Sequence, residues 1–374
     1  MVTITGFTAA RMLAMEAATI VSGAISGDNL ILTKHDSSTV NAGNVRGPQG
    51  IQGVGLQSQS NINRIINGDF SVNQRGFSSI TESGNFGHDR WKMLCTGGTT
   101  TYSAQTAALG LLPESNQNYA RMVTTGQSTT GHFAKIQQHI EDVRTLSGKS
   151  ATVSFWAWAG SGTPKIAVEY TQSFGTGGSS PVAIYAGQVT LSTTPTRYSV
   201  TVSLPSVSGK TITSDSCLIM QLWTSAGSSF NSETGSLGIQ NTTINIWGVQ
   251  AEEGTSATAF KQESYADTLR ACQRYYEYRA FGISTGQNVM AVCYNSAAQP
   301  VGHVAWIVQK RAIPTIIFPS NGSGRFISTA ALATNQTFQT ASVSLEGIDI
   351  VTVNNHPAGA GWFDGFSLTA SSEF

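Results

Sequence analysis

Three glycine triplets, Gly47-Pro48-Gln49, Gly50-Ile51-Gln52 and Gly53-Val54-Gly55, constrain this chain more than any other feature. In a collagen-type helix every third residue faces a crowded axis where only glycine fits, and the other positions favour polyproline II geometry. A period of three therefore implies three chains, with Gly47, Gly50 and Gly53 on the axis. At roughly 3.1 Å per residue the run would span about 28 Å. A flexible Gly/Gln linker gives the same short pattern; the position of the run between two patterned segments favours the triple helix.

The remaining sequence must supply folded partners for such a neck. At 374 residues the chain exceeds one ordinary core, so separate modules in series are expected. Only 11% of residues are charged, against roughly 25% in a typical soluble domain, so the surface must consist largely of Ser, Thr, Asn, Gln and Gly. Such a surface suits close subunit packing and contact with neutral sugars. With 21 basic and 21 acidic residues there is no net field to attract phosphate, which argues against nucleic acid. No apolar run approaches the roughly 20 residues of a bilayer span, and no secretion signal is visible; membrane insertion is not expected. Cys95, Cys217, Cys272 and Cys293 are far apart, which predicts free thiols made in a reducing cytoplasm.

Residues 7 to 22 are rich in helix formers, with Thr8 as N-cap, Leu13, Ala17, Ile20 and Val21 along one stripe, and Gly23 as a stop. Asn29 to Lys34 and Thr39 to Ala42, around the polar turn His35 to Ser38, predict a hairpin. Helix plus hairpin bury too little to stand alone, so self-association or docking on another protein is expected. From Asn61 to about residue 260 short alternating runs separated by turn residues predict a jelly-roll β-sandwich. Its strands should include Ala151 to Ala159, Lys165 to Tyr170, Arg197 to Val202, Cys217 to Trp223 and Thr243 to Trp247. Ser264 to Tyr276 reads as a short helix with a capping-box-like Ser264/Asp267 pair. Residues 290 to 374 return to strand-like runs and predict a smaller β-rich head.

Candidate chemistry is sparse. Glycan cleavage needs two carboxyl groups about 5 to 10 Å apart. Glu252 and Glu253, or Glu141 and Asp142, would point to opposite faces of a strand, so no catalytic residues are assigned. The histidines, His35, His88, His132, His139, His303 and His356, lack metal-ligand spacing, although His132 and His139 are seven apart, as on a helix; no metal or cofactor is expected. Aromatic platforms are the better chemistry, because a sugar's apolar CH face packs on an indole. If Val153, Phe155 and Ala157 face the core, Trp156 and Trp158 lie outside as a sugar platform or a contact surface. Trp91, Trp223 and Trp247 read as core. Trp362 and Phe363, in a loop-like stretch with Asn354, Asn355 and His356, complete the glycan-binding candidates.

Several segments together resemble phage minor tail and tail fibre proteins. They are Gly6 to Met12, Leu30 to Asp36, the glycine triplets, Asn67-Gly-Asp-Phe, Asn73-Gln-Arg-Gly, Asp89-Arg-Trp, Ser154-Phe-Trp-Ala, Trp247-Gly-Val-Gln-Ala-Glu-Glu-Gly, Ala257-Thr-Ala-Phe and Cys272-Gln-Arg-Tyr-Tyr. The middle is similar to the carbohydrate-binding-module type of jelly roll frequent in those proteins. Two Trp on the strand at Phe155 and the ending Ser371-Ser-Glu-Phe, without a chaperone-like tail, depart from the pattern. The resemblance implies a mainly β homotrimer. Residues 1–46 would attach to a phage tail or baseplate protein, 47–60 form a collagen-like neck and linker, and 61–260 form the jelly roll. Residues 261–289 would be a helical connector and 290–374 a distal tip. It implies a non-enzymatic virion subunit, assembled in the bacterial cytoplasm, that binds host surface polysaccharide. A virion adaptor without host contact and a polysaccharide-degrading tailspike are the alternative readings.

Overall fold

A computed structural model describes residues 8–27, 29–44, 62–113, 118–282, 289–293, 299–318, 323–328, 332–353, 359–364 and 366–374. Gly47, Gly50, Gly53, Asn354, Asn355 and His356 lie outside the described residues. The chain falls into two compact units, residues 1–58 and 59–374.

The first unit contains helix α1 (Ala9–Ala17) and a three-stranded antiparallel sheet of β1 (Ile20–Ser26), β2 (Asn29–Lys34) and β3 (Thr39–Asn44). The predicted hairpin is β2 and β3, and Asp36 Oδ1 accepts the Ser38 amide (2.9 Å) in its turn. The predicted helix is corrected at its second half. It ends at Ala17, and Ile20, Val21 and Gly23 lie in β1. The β-branched run Thr19-Ile20-Val21 prefers the pleated conformation. Thr8 is extended but makes no side-chain cap bond. Met12, Leu13 and Ile25 are 59%, 68% and 71% exposed, so this unit leaves much of its apolar surface in water.

The second unit begins with a sandwich of eleven antiparallel strands: β4 (Ser79–Ile80), β5 (Lys92–Thr96), β6 (Thr99–Thr106), β7 (Asn118–Thr125), β8 (Phe133–Glu141), β9 (Ser150–Ala159), β10 (Lys165–Ser173), β11 (Val182–Thr190), β12 (Thr196–Ser203), β13 (Cys217–Ala226) and β14 (Thr243–Glu253). One sheet has the order β11-β10-β13-β8-β5 and the other β12-β9-β14-β7-β6-β4. All five strands predicted by alternation are present, and Trp91, Trp223 and Trp247 are buried. A 3-10 turn (Ser228–Phe230) and helix α2 (Asn231–Thr234) follow β13. Phe155, Val168, Leu218, Met220 and Ile246 meet between the sheets in one continuous core. Burying each such side chain contributes about 1.5–3 kcal/mol.

Helix α3 (Tyr265–Gln273) leads out of the sandwich, its Ser264 Oγ accepting the Asp267 amide at 3.2 Å. Next come β15 (Tyr276–Phe281), β16 (Val289–Cys293), β17 (Val301–Ala305), β18 (Thr315–Ile317), β19 (Ser323–Ser328), β20 (Leu332–Val343), β21 (Gly347–Thr352), β22 (Gly359–Asp364) and β23 (Phe366–Ser371). Six of them close a barrel, β16-β17-β21-β20-β19-β22, and β15-β23-β18 form a second sheet. β15 thus lies inside the segment expected to be a helical connector. Trp362 and Phe363 sit on β22, not in a loop. Phe363 is fully buried against Phe338, which corrects its expected exposure; alternation leaves Trp362 outside, 40% exposed.

The motifs scattered along the sequence converge in space. Asn67 has φ +58 and Phe70 φ +57, an uncommon conformation for non-glycine residues. Asn67 holds the turn through Nδ2 bonds to the Val72 and Asp89 carbonyls (2.9 and 3.0 Å), and its own carbonyl accepts Trp91 Nε1 (2.9 Å). Gly68 lies flat against Val249, whose amide donates to the Gly68 carbonyl at 2.9 Å. Gly248 supplies φ +62 at a bulge in β14, where a Cβ would lie 2.9 Å from the Trp156 ring. These motifs are therefore joints of the sandwich.

Two outcomes follow from this packing. A Cβ at position 68 would overlap the Val249 carbonyl oxygen, so Gly68→Ala should destabilise by about 3 kcal/mol or more in chemical denaturation. His88 is buried against Phe77 and Tyr102, and burial lowers its pKa from 6.5 to about 3. Below pH 6.5 the unfolded chain takes up a proton that folded His88 refuses, so stability falls with pH through that window. From pH 7 to pH 5 this residue alone should cost about 2 kcal/mol. Denaturation at the two pH values should show that slope reduced in His88→Asn. Asp89, raised by burial, has the opposite sign.

Candidate functional site

The outer face of the five-stranded sheet carries the polar side chains that alternation directs away from the core. Register places Glu169 beside Gln221 and Gln221 beside Gln137, with Thr171, Ile219 and His139 in the next outward row and Ser173, Cys217 and Glu141 in the one after. The first row is tied to its neighbours: Trp223 Nε1 donates to Glu169 Oε2 (2.7 Å), Thr171 Oγ1 to Glu169 Oε1 (2.8 Å) and Gln221 Nε2 to Thr171 Oγ1 (2.8 Å). Burial raises the Glu169 pKa, while Lys135, also desolvated, falls to about 8. Phe230 and Leu237 pack over Trp223 and cover this end of the face.

The other end is open and forms a cleft of about 440 Å³. Its floor is His139, Ser173, Cys217 and Ile219; its walls are Thr176 and Asp215 on one side and Arg311, Glu373 and Phe374 on the other. A smaller recess of about 250 Å³, lined by Glu141, Arg144 and Arg274, shares Arg311 and Phe374 with it. Arg311 lies over the Phe374 ring at 3.8 Å, and its Nε donates to the Ser372 carbonyl at 2.9 Å. The Phe374 ring also contacts His139, 5.4 Å between centroids. Asp215 accepts from Thr176 Oγ1 (2.6 Å), the Thr176 amide (3.0 Å) and Thr213 Oγ1 (2.7 Å), and those donors hold its pKa well below the usual carboxylate range. Burial lowers the pKa of Arg311.

The C-terminal wall is fixed by buried ions. Arg90, 1% exposed, pairs with Glu373 and lies over the Tyr275 ring at 3.3 Å. Arg75 bridges Asp89 (3.2 Å) and Glu373 (3.4 Å) and stacks on Tyr276 at 3.7 Å. Gln74 Nε2 donates to both Asp89 (2.5 Å) and the Tyr276 carbonyl (2.8 Å). Sandwich and C-terminal module are thus clamped together through Asn73-Gln-Arg-Gly, Asp89-Arg-Trp and Cys272-Gln-Arg-Tyr-Tyr.

This chemistry suits binding. Cys217 Sγ stands 3.9 Å from His139 Nδ1, but burial raises the thiol to about 11 and lowers the imidazole to about 3, so the pair does not generate thiolate near neutral pH. Glu252 accepts from Thr258 while Glu253 pairs with Lys149, and Glu141 pairs with Arg274 while Asp142 pairs with Arg144. Neighbouring carboxylates therefore diverge. His139 lies on a strand, so the helical spacing from His132 has no meaning here. Among the described residues no group of three or more His, Cys, Asp or Glu is placed to hold a metal ion.

Of the glycan-binding candidates read from the sequence, none lines this cleft, whereas His139 and Cys217, named there only as a histidine without ligand spacing and a free thiol, lie on its floor. Val153, Phe155 and Ala157 do face the core, but Trp158 is only 7% exposed, covered by Tyr119 at 4.9 Å; this corrects the expectation that it stands free. Trp156 is half-buried among Trp247, Phe260 and the Arg197 guanidinium. The cleft residues were missed because they come from five separated stretches of chain. The available signal was scarcity: in a sequence with 11% charge, Asp215, Arg311 and Glu373 are conspicuous.

No protein-family model matches the chain, and no curated protein is significantly similar to it. Among solved structures it is similar to a CBM4 carbohydrate-binding module, with 18% identity and TM-score 0.30 over 50% of this chain and 98% of the module. It is likewise similar to the CBM22-2 xylan-binding domain of Paenibacillus barcinonensis Xyn10C, with 17% identity and TM-score 0.30 over 47% and 98%. A cyclase from Fischerella sp. TAU has 12% identity and TM-score 0.33 over 53% and 99%. The structural neighbours of this mainly β chain thus include carbohydrate-binding modules.

Proposed function

We propose that the chain is a non-catalytic, glycan-binding subunit of a phage tail fibre, trimeric through its N-terminal part, that holds a host surface polysaccharide in the cleft beside Arg311. The observation that carries the binding reading is the cleft itself. Its volume of about 440 Å³ falls within the roughly 300–1,000 Å³ of small-molecule sites. It offers an ionised carboxylate and a guanidinium facing hydroxyls, with Ile219 and Phe374 as apolar surface. Vicinal sugar hydroxyls donate to Asp215 and accept from Arg311, while a CH face covers Ile219.

The fibre reading rests on the order of motifs along the sequence. It is supported by the exposed Met12, Leu13, Met15, Val21 and Ile25, which precede the glycine triplets in the chain. Three copies wound at those triplets would bring these apolar surfaces together, and the first unit would then attach to a phage tail or baseplate protein. Sugar cleavage is disfavoured because Asp215 is held ionised by its donors and Glu373 is spent on two arginines, leaving no positioned acid.

Purified protein should compete with phage for adsorption to host cells and scatter light with the mass of three chains. Gly50→Ala should lower the trimer's melting temperature, and Thr176→Trp should abolish competition while leaving the mass unchanged. A monomer at micromolar concentration would refute the trimer. A trimer without competition would favour the adaptor reading, and release of oligosaccharides from host capsule the tailspike.

A further inference from the structure

A second cleft, of about 500 Å³, lies where the connector leaves the sandwich. It shares no lining residue with the Arg311 cleft. Tyr265, 58% exposed, stands on its rim as the first residue of α3. That position is rigid, because Ser264 caps the helix and its Oγ also donates to Asp267 Oδ2 at 2.6 Å. An exposed aromatic held by a capped helix end is an unusual use of apolar surface in a chain whose other tyrosines and tryptophans mostly pack inward.

Facing it are Asp69, Asn118, Gln262 and Glu263. Asp69 is 5% exposed and already oriented: its Oδ1 accepts Ser71 Oγ (2.9 Å) and its Oδ2 accepts Gln262 Nε2 (3.4 Å). It belongs to the Asn67-Gly-Asp-Phe turn, whose other members are joints of the fold, and it lines this cleft. Asn118 accepts from Thr106 Oγ1 at 3.3 Å. Among the described residues the lining holds carboxylates, amides, two serine hydroxyls and one phenol ring, with no Lys, Arg or His.

From this we infer a second glycan site, selective for uncharged sugars. A sugar ring packs its CH face on Tyr265 while its hydroxyls donate to Asp69 and Glu263 and exchange hydrogen bonds with Asn118 and Gln262. Uronic acids are excluded, since their carboxylate would approach two like charges without a cation to offset them. The inference builds on the glycan-binding reading but does not use its cleft. Two sites on each of three chains would let one polymer be held at several points, raising avidity without new contacts.

The test is an array of neutral and uronate-containing oligosaccharides probed with the full chain, Tyr265→Ala, Tyr265→Phe and Thr176→Trp. Tyr265→Ala should weaken a set of neutral ligands at least tenfold with an unchanged melting temperature, Tyr265→Phe should keep them, and Thr176→Trp should leave that set bound. Uronates should not compete for it. Neutral binding untouched by Tyr265→Ala, or uronate binding that depends on Tyr265, overturns the second site. Loss confined to Thr176→Trp overturns it while sparing the Arg311 cleft; Tyr265-dependent binding alone does the reverse; an array with no binding at all sinks both.

Discussion

The second unit is organised around one buried cluster of charge. Arg90, Asp89, Arg75 and Glu373 bring two cations and two anions out of water together, with Tyr275 and Tyr276 stacked on the guanidinium groups. Isolated, each ion would cost several kcal/mol to bury, and removing a single partner from such a set typically costs about 3–5 kcal/mol. The sandwich supplies Arg75, Asp89 and Arg90, and the end of the C-terminal module supplies Glu373. The two cannot shift relative to one another without exposing unpaired charge to a dry interior. A second buried pair, Lys310 with Glu277 at 2.6 Å, fixes the segment that carries Arg311. The cleft beside Arg311 exists because both clamps hold.

That coupling changes the picture of modules in series. The sandwich and the small β-rich head form one compact unit, and the proposed sugar-binding surface is made jointly. Ile219, Cys217 and His139 are ordinary outward positions of a sheet. They become the floor of a cleft only when Arg311 and Phe374 rise beside them. Low overall charge leaves neutral amides and hydroxyls over much of the surface, while Arg75, Asp89, Arg90, Glu373, Lys310 and Glu277 hold the architecture.

Much of the fold was legible because alternation is a local signal. Ala151 to Ala159 and Cys217 to Trp223 announced their strands, and Trp91, Trp223 and Trp247 their burial. β1 was hidden because Ile20 and Val21 also fit a helical stripe, and only pairing with β2 decides between the two. Trp158 was misjudged because a strand's outer face is not necessarily wet: Tyr119, from a strand distant in sequence, covers it. Phe363 followed the opposite logic, since the glycine-rich stretch before it reads as loop while the closed barrel makes it core. The candidate site was not legible at all. Its residues gather from positions 139 to 374, and the motifs that stood out, Asn67-Gly-Asp-Phe and Asp89-Arg-Trp, stand out because turns with positive φ and buried ions tolerate few alternatives.

Sugar binding in the Arg311 cleft would be decided by a crystal structure of the chain with the best-binding oligosaccharide from adsorption studies. Density for a sugar is expected over Ile219, with hydroxyls within hydrogen-bond distance of Asp215 and Arg311 and the Arg90–Glu373 pair intact. A sugar bound only elsewhere on the chain, or one that enters by displacing Phe374 and breaking that pair, would contradict it.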